Sequence, residues 1–264
     1  DKVEPAFDWL TNESEFRSNF VDVVIDDFLI DKKIYAVPLS VDSLALFYNK
    51  DIFNSVGITT PPRTWEEFGE DVRRITRKDQ NDNITQAGAA LGTAYNINRS
   101  TDILGLLMFQ NGVRMTNDEK TEVTFDKAIN LSNGQIVKGG ENALAFYTQF
   151  ADGRSSYYTW NRRMHYSVDA FYEGTAAMMV NYSWQYNTIK NKNSKLNFAV
   201  APIPQASFNS PANYANYWGM AVSKNKILSQ DQKSKLAENG LTESKYNQAR
   251  TYEAWQFLKY LTFK

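Results

Sequence analysis

One segment, IYAVPLSVDSLALFY at residues 34–48, restricts the possible fold more than any other part of the chain. Side chains alternate between the two faces of a strand, and here both faces are apolar. Leu39 and Val41 belong to one face, whereas Leu44 and Leu46 belong to the other. A strand that is apolar on both faces is typical of a sheet covered by helices. We therefore predict an α/β protein.

The other segments alternate between strand and helix signals, which supports the α/β class. In TTPPRTWEEF the prolines hold the chain extended, Thr64 and Glu67 form a capping box, and Trp65 begins a helix with its indole in the core. A second, apolar helix, TDILGLLMFQNG, ends at its glycine. TAAMMVNYSW and NFAVAPIP read as strands. The polar links near residues 28–33 and 205–216 are the predicted crossings between two lobes.

The composition excludes several classes of protein. The 264 residues include 29 basic and 30 acidic side chains, so the chain has no overall positive field and no nucleic acid is predicted as a partner. It contains no cysteine, which excludes disulfides and thiolate metal sites. No apolar run is long enough to span a bilayer, and DKVEPAFDWL lacks the features of a secretory signal. Either the protein is cytoplasmic or its signal lies upstream.

The sequence lacks the motifs of the common enzyme classes. It contains no dinucleotide-binding glycine pattern, no P-loop and no nucleophile elbow. His165 is its only histidine, and RRMHYS around it offers no nucleophile at a suitable spacing. We interpret His165 as a surface residue. No catalytic residue, metal site or cofactor is predicted.

Aromatic side chains cluster at predicted turns rather than on helix faces. Three such groups are Tyr157, Tyr158 and Trp160; Tyr182 and Trp184; and Tyr214, Tyr217 and Trp218. A pyranose packs its C–H face on an aromatic ring, while its hydroxyls need polar partners. Because ligands of open α/β sheets bind beyond the carboxyl ends of the strands, these groups favour a carbohydrate site.

Asp42 lies in the middle of the apolar segment, and a buried carboxylate is costly unless it accepts hydrogen bonds. Two sources of donors fit the sequence. The hydroxyls of a bound sugar could supply them, with water in their place before binding. Alternatively, backbone N–H groups or an arginine of the protein itself satisfy the carboxylate. Spacing alone does not separate these two interpretations.

Four motifs follow one another along the chain: YAVPLSVDSLALFYNKDIFNSVGITTPPRTWEEF, FYEGTAAMMVNYSW, NFAVAPIP and YWGMAVSK. Together they resemble the extracellular solute-binding proteins, family 1, of ABC transporters, the sugar-binding group that includes maltose-binding protein. The similarity extends from about residue 34 to 263. It implies a two-lobe, class II periplasmic-binding-protein-like fold that closes on its ligand by a hinge motion. It also implies a binding protein and not an enzyme.

By this resemblance, residues 1–41 and 219–264 belong to the N-terminal lobe and residues 46–212 to the second lobe, with hinge crossings near 42–45 and 213–218. The family's first strands and closing helices have no counterpart here, so we expect an incomplete N-terminal lobe. The resemblance further implies an extracytoplasmic monomer, periplasmic or lipid-anchored, whose signal is not in this chain. Its expected partners are a mono- or oligosaccharide and the membrane permease of an ABC importer.

The resemblance also assigns ligand contacts. Asp42 matches the acid that bonds sugar hydroxyls, Trp184 matches the tryptophan that stacks on a sugar ring, and Trp218 stands on the returning strand. Asn96 and Arg99 fall in a loop that often faces the ligand in this family. Further residues expected at the rim are Trp160, Asn161 and Tyr182.

Two alternatives stay open at this point. A glycoside-active enzyme would use the same aromatics with two facing carboxylates, of which the sequence indicates only Asp42. The second alternative is a binding protein for a non-sugar solute, such as a peptide or a polyamine. A polyamine site needs grouped acids, so the presence of Arg99 argues against a polyamine. The family usually has glycine where Tyr182 or Ser183 stands, so the approach to Trp184 is expected to be narrower here.

Overall fold

The computed structural model describes residues 2–130, 134–224 and 226–263. In chain order, its strands are β1 (Val3–Glu4), β2 (Leu29–Ile30), β3 (Lys33–Ile34), β4 (Val37–Asn49), β5 (Arg77–Lys78), β6 (Ile84–Ala90), β7 (Ile129–Asn130), β8 (Ile136–Val137), β9 (Ala176–Tyr182), β10 (Phe198–Pro202), β11 (Ala215–Met220) and β12 (Val222–Ser223). Its α-helices are α1 (Glu13–Asn19), α2 (Asp22–Phe28), α3 (Lys50–Ser55), α4 (Trp65–Ile75), α5 (Ser100–Gln110), α6 (Gly139–Thr148), α7 (Ser167–Tyr172), α8 (Gln185–Lys192), α9 (Gln230–Glu238) and α10 (Glu243–Thr262). A short 3₁₀ helix, Gln149–Ala151, follows α6.

The chain divides into two compact units, which are described separately. The smaller unit is Asp1–Val41 with Ala215–Lys264, and the larger unit is Asp42–Tyr214. One division therefore falls inside β4. The first polar link that we predicted as a crossing is instead the β2–β3 hairpin, whose turn residues Asp31 and Lys32 have φ values of 50° and 64°. Its polar residues form a tight two-residue turn and not a linker.

Five strands of the larger unit form one sheet, in the order β10–β4–β9–β6–β5. β4 is antiparallel to both of its neighbours in this order, whereas β6 and β9 are parallel. All seven residues of β9 are buried, as expected for a continuous apolar run inside a covered sheet. The sheet and helices α3 to α7 enclose one large hydrophobic core. This mixture of strands and helices confirms the predicted α/β class.

The predicted helix boundaries are confirmed in the larger unit. The Thr64 hydroxyl caps α4 by accepting the Glu67 N–H at 3.1 Å, and the Glu67 carboxylate accepts the Arg63 N–H at 2.7 Å. Trp65 is 6% exposed and lies in the core, as predicted. Helix α5 is followed by Gly112 at a φ of 75°, a backbone conformation that glycine adopts without steric cost.

The first half of β4 departs from the expectation of two buried faces. Leu39 is 53% exposed and Val41 is 43% exposed, whereas Leu44 and Leu46 are buried. The strand registers explain the difference, because β9 and β10 pair with β4 only at residues 44–49. The helices that cover this sheet therefore do not cover the earlier part of the strand. The apolar run overstated the length of the buried segment.

The smaller unit has its own hydrophobic core. Trp255 of α10 is 1% exposed, and its Nε1 donates to the Glu4 carbonyl at 3.2 Å. The buried side chains packed with it include Phe16, Ile25, Ile34, Val37, Val222 and Leu258. Strands β1 and β12 pair antiparallel in this unit. Among the described residues of the whole chain, no helix is both long and apolar enough to cross a membrane.

Candidate functional site

The register of β4 and β9 brings Asp42 next to Trp184. Leu44 pairs with Tyr182 in this antiparallel ladder. Position 42, two residues before Leu44, therefore lies opposite position 184, two residues after Tyr182. The Trp184 N–H donates to Asp42 Oδ2 at 3.3 Å, and the Ser43 N–H donates to Oδ1 at 2.8 Å. Asp42 is also partly exposed. Its carboxylate therefore has backbone donors before any ligand binds, which is the second of the two interpretations that the sequence left open.

Trp184 is an exposed aromatic residue at the end of a buried strand. Tyr182, the last residue of β9, is 1% exposed, whereas Trp184 is 52% exposed. The chain leaves the sheet between them, and Trp184 immediately precedes α8. The Tyr182 ring is therefore held in the core, so the prediction that it lines the rim is wrong. The Trp184 ring faces solvent, where a ligand can reach it.

The Arg99 guanidinium lies near both rings, with Cζ 5.1 Å from the Tyr182 ring centroid and 5.5 Å from that of Trp184. These distances are within the range of cation–π attraction. Arg99 immediately precedes α5, and Asp102 in the first turn of that helix accepts a hydrogen bond from Tyr182 Oη at 2.8 Å. Asp42, Arg99, Asp102, Tyr182 and Trp184 all belong to the larger unit and are called the Trp184 cluster below.

The Trp184 cluster combines the kinds of group that a carbohydrate requires. Trp184 supplies an apolar ring face, Arg99 supplies N–H donors, and the two carboxylates supply acceptors for hydroxyl groups. Donors of the protein already orient both acids: Asp42 accepts backbone N–H groups, and Asp102 also accepts the Thr101 hydroxyl at 3.2 Å. The arrangement is suited to holding a polyhydroxylated ring.

Three other predicted contacts have structural roles in the larger unit. Trp160 is completely buried, and its Nε1 donates to Asn96 Oδ1 at 2.9 Å. Asn96 is 1% exposed, and its amide group donates to the carbonyls of Asn161 at 3.0 Å and Met164 at 2.8 Å. The prediction that Trp160 lines a rim is wrong, because its indole fills the core. Asn96 joins two loops through its hydrogen bonds. Asn161 is partly exposed, with its amide group donating to Tyr158 Oη at 3.0 Å.

Trp218 lies in the smaller unit, on β11, and is 74% exposed. Its neighbour Tyr217 packs edge-on against Phe28, with ring centroids 5.7 Å apart, and its hydroxyl donates to Asp27. On the other side, a Cβ at Gly219 would lie 2.4 Å from the Phe28 ring, so this close approach requires glycine. The backbone is thus fixed on both sides of an exposed indole.

Two features of the larger unit were not predicted from the sequence. Asp102 looked like an ordinary acid in the first turn of a helix, and only its tertiary bond to Tyr182 places it in the cluster. Tyr95 and Tyr166, which are 67% and 47% exposed, form a second aromatic pair with ring centroids 6.1 Å apart. Tyr95 also borders a cavity of about 510 Å³ with Asn161. Both tyrosines lie outside helices and strands, so the signal that indicated Trp184, an aromatic residue at a turn, also marks this pair.

His165 is exposed, and its Nδ1 lies 2.8 Å from Glu173 Oε2. This surface contact agrees with the interpretation of His165 as a surface residue. In the three described segments of the chain, no group of three or more His, Cys, Asp or Glu side chains is arranged to hold a metal ion.

Residues 4–264 match the family of bacterial extracellular solute-binding proteins. The chain belongs to this family. This solute-binding protein is 25% identical over 193 residues to the maltodextrin-binding protein MdxE of Bacillus subtilis (strain 168), an alignment that covers 70% of the chain and 40% of the relative. It is 21% identical to the galactooligosaccharide-binding protein of the same organism, in an alignment that covers 92% of the chain and 54% of the relative. The chain spans about half the length of the curated relatives that it matches.

Solved structures confirm the fold of this solute-binding protein. An ABC transporter solute-binding protein of Thermotoga lettingae, bound with α-D-tagatose, matches with a TM-score of 0.66 at 19% identity, covering 98% of this chain and 57% of the other. The maltotriose-bound maltose/maltodextrin-binding domain of Bdellovibrio bacteriovorus matches with a TM-score of 0.62 at 20% identity, covering 99% and 57%. The predicted class II binding-protein fold is therefore confirmed.

Proposed function

We propose that the protein binds a sugar or oligosaccharide outside the cytoplasm and delivers it, chemically unchanged, to the membrane permease of an ABC importer. The Trp184 cluster carries this proposal: an exposed indole whose backbone is bonded to Asp42 and whose ring lies 5.5 Å from the Arg99 guanidinium. A flat apolar face beside donors and acceptors suits a pyranose. Relatives named for binding maltodextrin and galactooligosaccharides support the same class of ligand.

Each member of the Trp184 cluster has a role in this proposal. Trp184 stacks on a sugar ring, Asp42 accepts hydroxyl protons, and Arg99 donates to ligand oxygens. An ionised carboxyl group has about four acceptor sites, so Asp42 keeps capacity for a ligand beside its two backbone donors. Tyr182 orients Asp102. Of the remaining residues, Trp218 and Asn161 are assigned as direct contacts. Asn96 and Trp160 position the loop that precedes Arg99.

Membership of the family supports the proposed location and partners. Its members are described as extracellular, and the finer location that we propose is the periplasm or, through a lipid anchor, the outer face of the cell membrane. The protein acts as a monomer that docks on the permease. The assignment of residues 1–41 and 219–264 to one lobe and 46–212 to the other stays part of the proposal.

A panel of mono- and oligosaccharides, applied to the full-length protein in thermal-shift and calorimetric experiments, tests the proposal. A ligand that binds only the native state raises the free energy of unfolding by about 2.7 kcal/mol at a concentration of 100 times its Kd. We expect at least one sugar to raise the melting temperature and to be recovered intact. Release of reducing sugar would favour a glycoside-active enzyme. A shift seen only with peptides or polyamines would favour a non-sugar solute; either result overturns the proposal.

A further inference from the structure

The Arg99 side chain has no hydrogen-bond acceptor among the described residues. In the parts of the chain that the structure describes, it donates no hydrogen bond and forms no ion pair. Its Nε is buried, where a ligand oxygen cannot reach it, whereas its two Nη groups are not among the buried atoms and can donate to a ligand. The rings of Tyr182 and Trp184 attract the guanidinium through their π faces, but they offer no oxygen to its N–H groups.

The two carboxylates of the Trp184 cluster, in contrast to Arg99, already have hydrogen-bond partners within the protein. Asp42 accepts two backbone N–H groups, and Asp102 accepts the hydroxyls of Tyr182 and Thr101. Hydrogen bonds to an ionised acceptor are stronger than those between neutral groups, so fixed donors of the protein stabilise both negative charges. Among the charged groups of the cluster, the Arg99 guanidinium is therefore the one without a hydrogen-bond partner in the described residues.

We propose that the sugar recognised by the Trp184 cluster carries an anionic group, which Arg99 binds. This inference rests on the proposed function and narrows its ligand to acidic sugars. The planar guanidinium matches a carboxylate or a phosphate with two parallel N–H···O bonds, which a single hydroxyl cannot accept. Because Arg99 Cζ is 5.5 Å from the Trp184 ring centroid, a sugar that contacts this indole also lies within reach of the guanidinium. Hydroxyls of the same sugar donate to Asp42.

Matched pairs of ligands test this inference by calorimetry on the full-length protein. The pairs are galacturonate with galactose, glucuronate with glucose, and glucose 6-phosphate with glucose, and the uronate pairs are also measured as di- and trisaccharides. We expect the acidic member of at least one pair to bind about tenfold more tightly or better, a difference of about 1.4 kcal/mol. The pair with the largest difference in affinity identifies the anionic group: a uronate pair indicates a carboxylate, and the glucose 6-phosphate pair indicates a phosphate.

Two variants at Arg99 and one control assign the preference to this residue. Arg99→Gln should lower affinity for the acidic members far more than for the neutral ones, and Arg99→Lys should keep part of the preference because it keeps the charge. The control is Arg63→Gln, which removes an exposed guanidinium 5.2 Å from the Phe208 ring centroid and should leave the preference unchanged.

The outcomes separate this inference from the function on which it rests. Neutral sugars that bind as tightly as their acidic counterparts overturn the inference and leave the proposed function standing. If no sugar binds in any form, the proposed function fails and the inference fails with it. If Arg99→Gln does not fold, the comparison of ligand pairs on the wild-type protein still decides the question.

Discussion

The Trp184 N–H and the Asp42 carboxylate are joined across the β4–β9 ladder by a hydrogen bond of 3.3 Å. The bond places an acceptor group at the backbone of an exposed indole, so one ligand can contact both residues. It also connects ligand recognition to the local fold. A change at Asp42 alters an acceptor for the ligand and, at the same time, the turn that leads from β9 into α8.

Asp42→Asn should weaken the binding of a sugar by about 1.5–3 kcal/mol, the range for a hydrogen bond to a charged group. The substitution removes the charge and leaves one acceptor oxygen where there were two, while the shape of the side chain is kept. Calorimetry with a sugar that binds the wild-type protein measures the change. Ser43→Ala is the matched control, since it keeps the Ser43 N–H that donates to Asp42. Unchanged affinity in Asp42→Asn would exclude its carboxylate from the ligand contacts.

Trp184→Ala should weaken sugar binding by about 1–3 kcal/mol, the scale of losing one large apolar contact. The free energy of unfolding should change little, because the indole is 52% exposed. The control is Trp9→Ala, which removes an indole that is 69% exposed and is stacked on Phe7 at 5.3 Å. Calorimetric titrations of both variants decide the point: an equal loss of affinity in the two would count against a specific role for Trp184.

Elements that depend on neighbouring residues were predicted well from the sequence. The Thr64 cap with its preceding prolines marked the start of α4, and the apolar run marked β9. Burial along β4 was not predictable in the same way. It depends on where β9 and β10 pair with that strand, and no local signal contains this register. The exposure of Leu39 and Val41 follows from the register and not from their own side chains.

The candidate site was predicted in part, for the same physical reason. Asp42 and Trp184 were both singled out from the sequence, and the strand register brings them together. Trp160 had the same local signal, an aromatic residue at a turn. It nevertheless points into the core, where it bonds to Asn96, 64 positions away. Such long-range contacts decide which aromatic residues stay exposed. Asp102 was missed because its partner, Tyr182, lies 80 positions away in the sequence.

Gln110 connects the end of α5 to the link that follows β10. Its Oε1 accepts Trp65 Nε1 at 2.6 Å, and its Nε2 donates to the carbonyls of Pro204 and Ala212, both at 3.0 Å. Gln110→Leu removes these three bonds. Because the bonds are part-buried, water can replace Gln110 at some of the groups, and each group that stays without a partner costs about 1–3 kcal/mol. We expect the free energy of unfolding to fall by about 2–4 kcal/mol in denaturant titrations. Gln248→Leu, at an exposed position of α10, should change it by less than about 0.5 kcal/mol.

Asp71 lies on the buried side of α4 and is 8% exposed. Burial raises the pKa of its carboxyl group from 3.8 to about 6; Arg74 lowers that pKa, whereas Glu67 and Glu70 raise it further. Because the pKa is higher in the folded state, the folded chain binds more protons than the unfolded chain between about pH 4 and pH 6. The free energy of unfolding therefore falls as the pH rises through this window.

Asp71→Asn should remove this pH dependence, because the amide keeps the shape of the side chain and does not ionise. At pH 7.5 the variant should be more stable than the wild-type protein by about 1–3 kcal/mol, since one pKa unit corresponds to about 1.4 kcal/mol. The difference should shrink as the pH falls through 6 and vanish near pH 4. Thermal unfolding at a series of pH values measures it, with Glu66→Gln, an exposed position of the same helix, as the control. A stability difference that stays constant from pH 4 to pH 7.5 would contradict the assignment to Asp71.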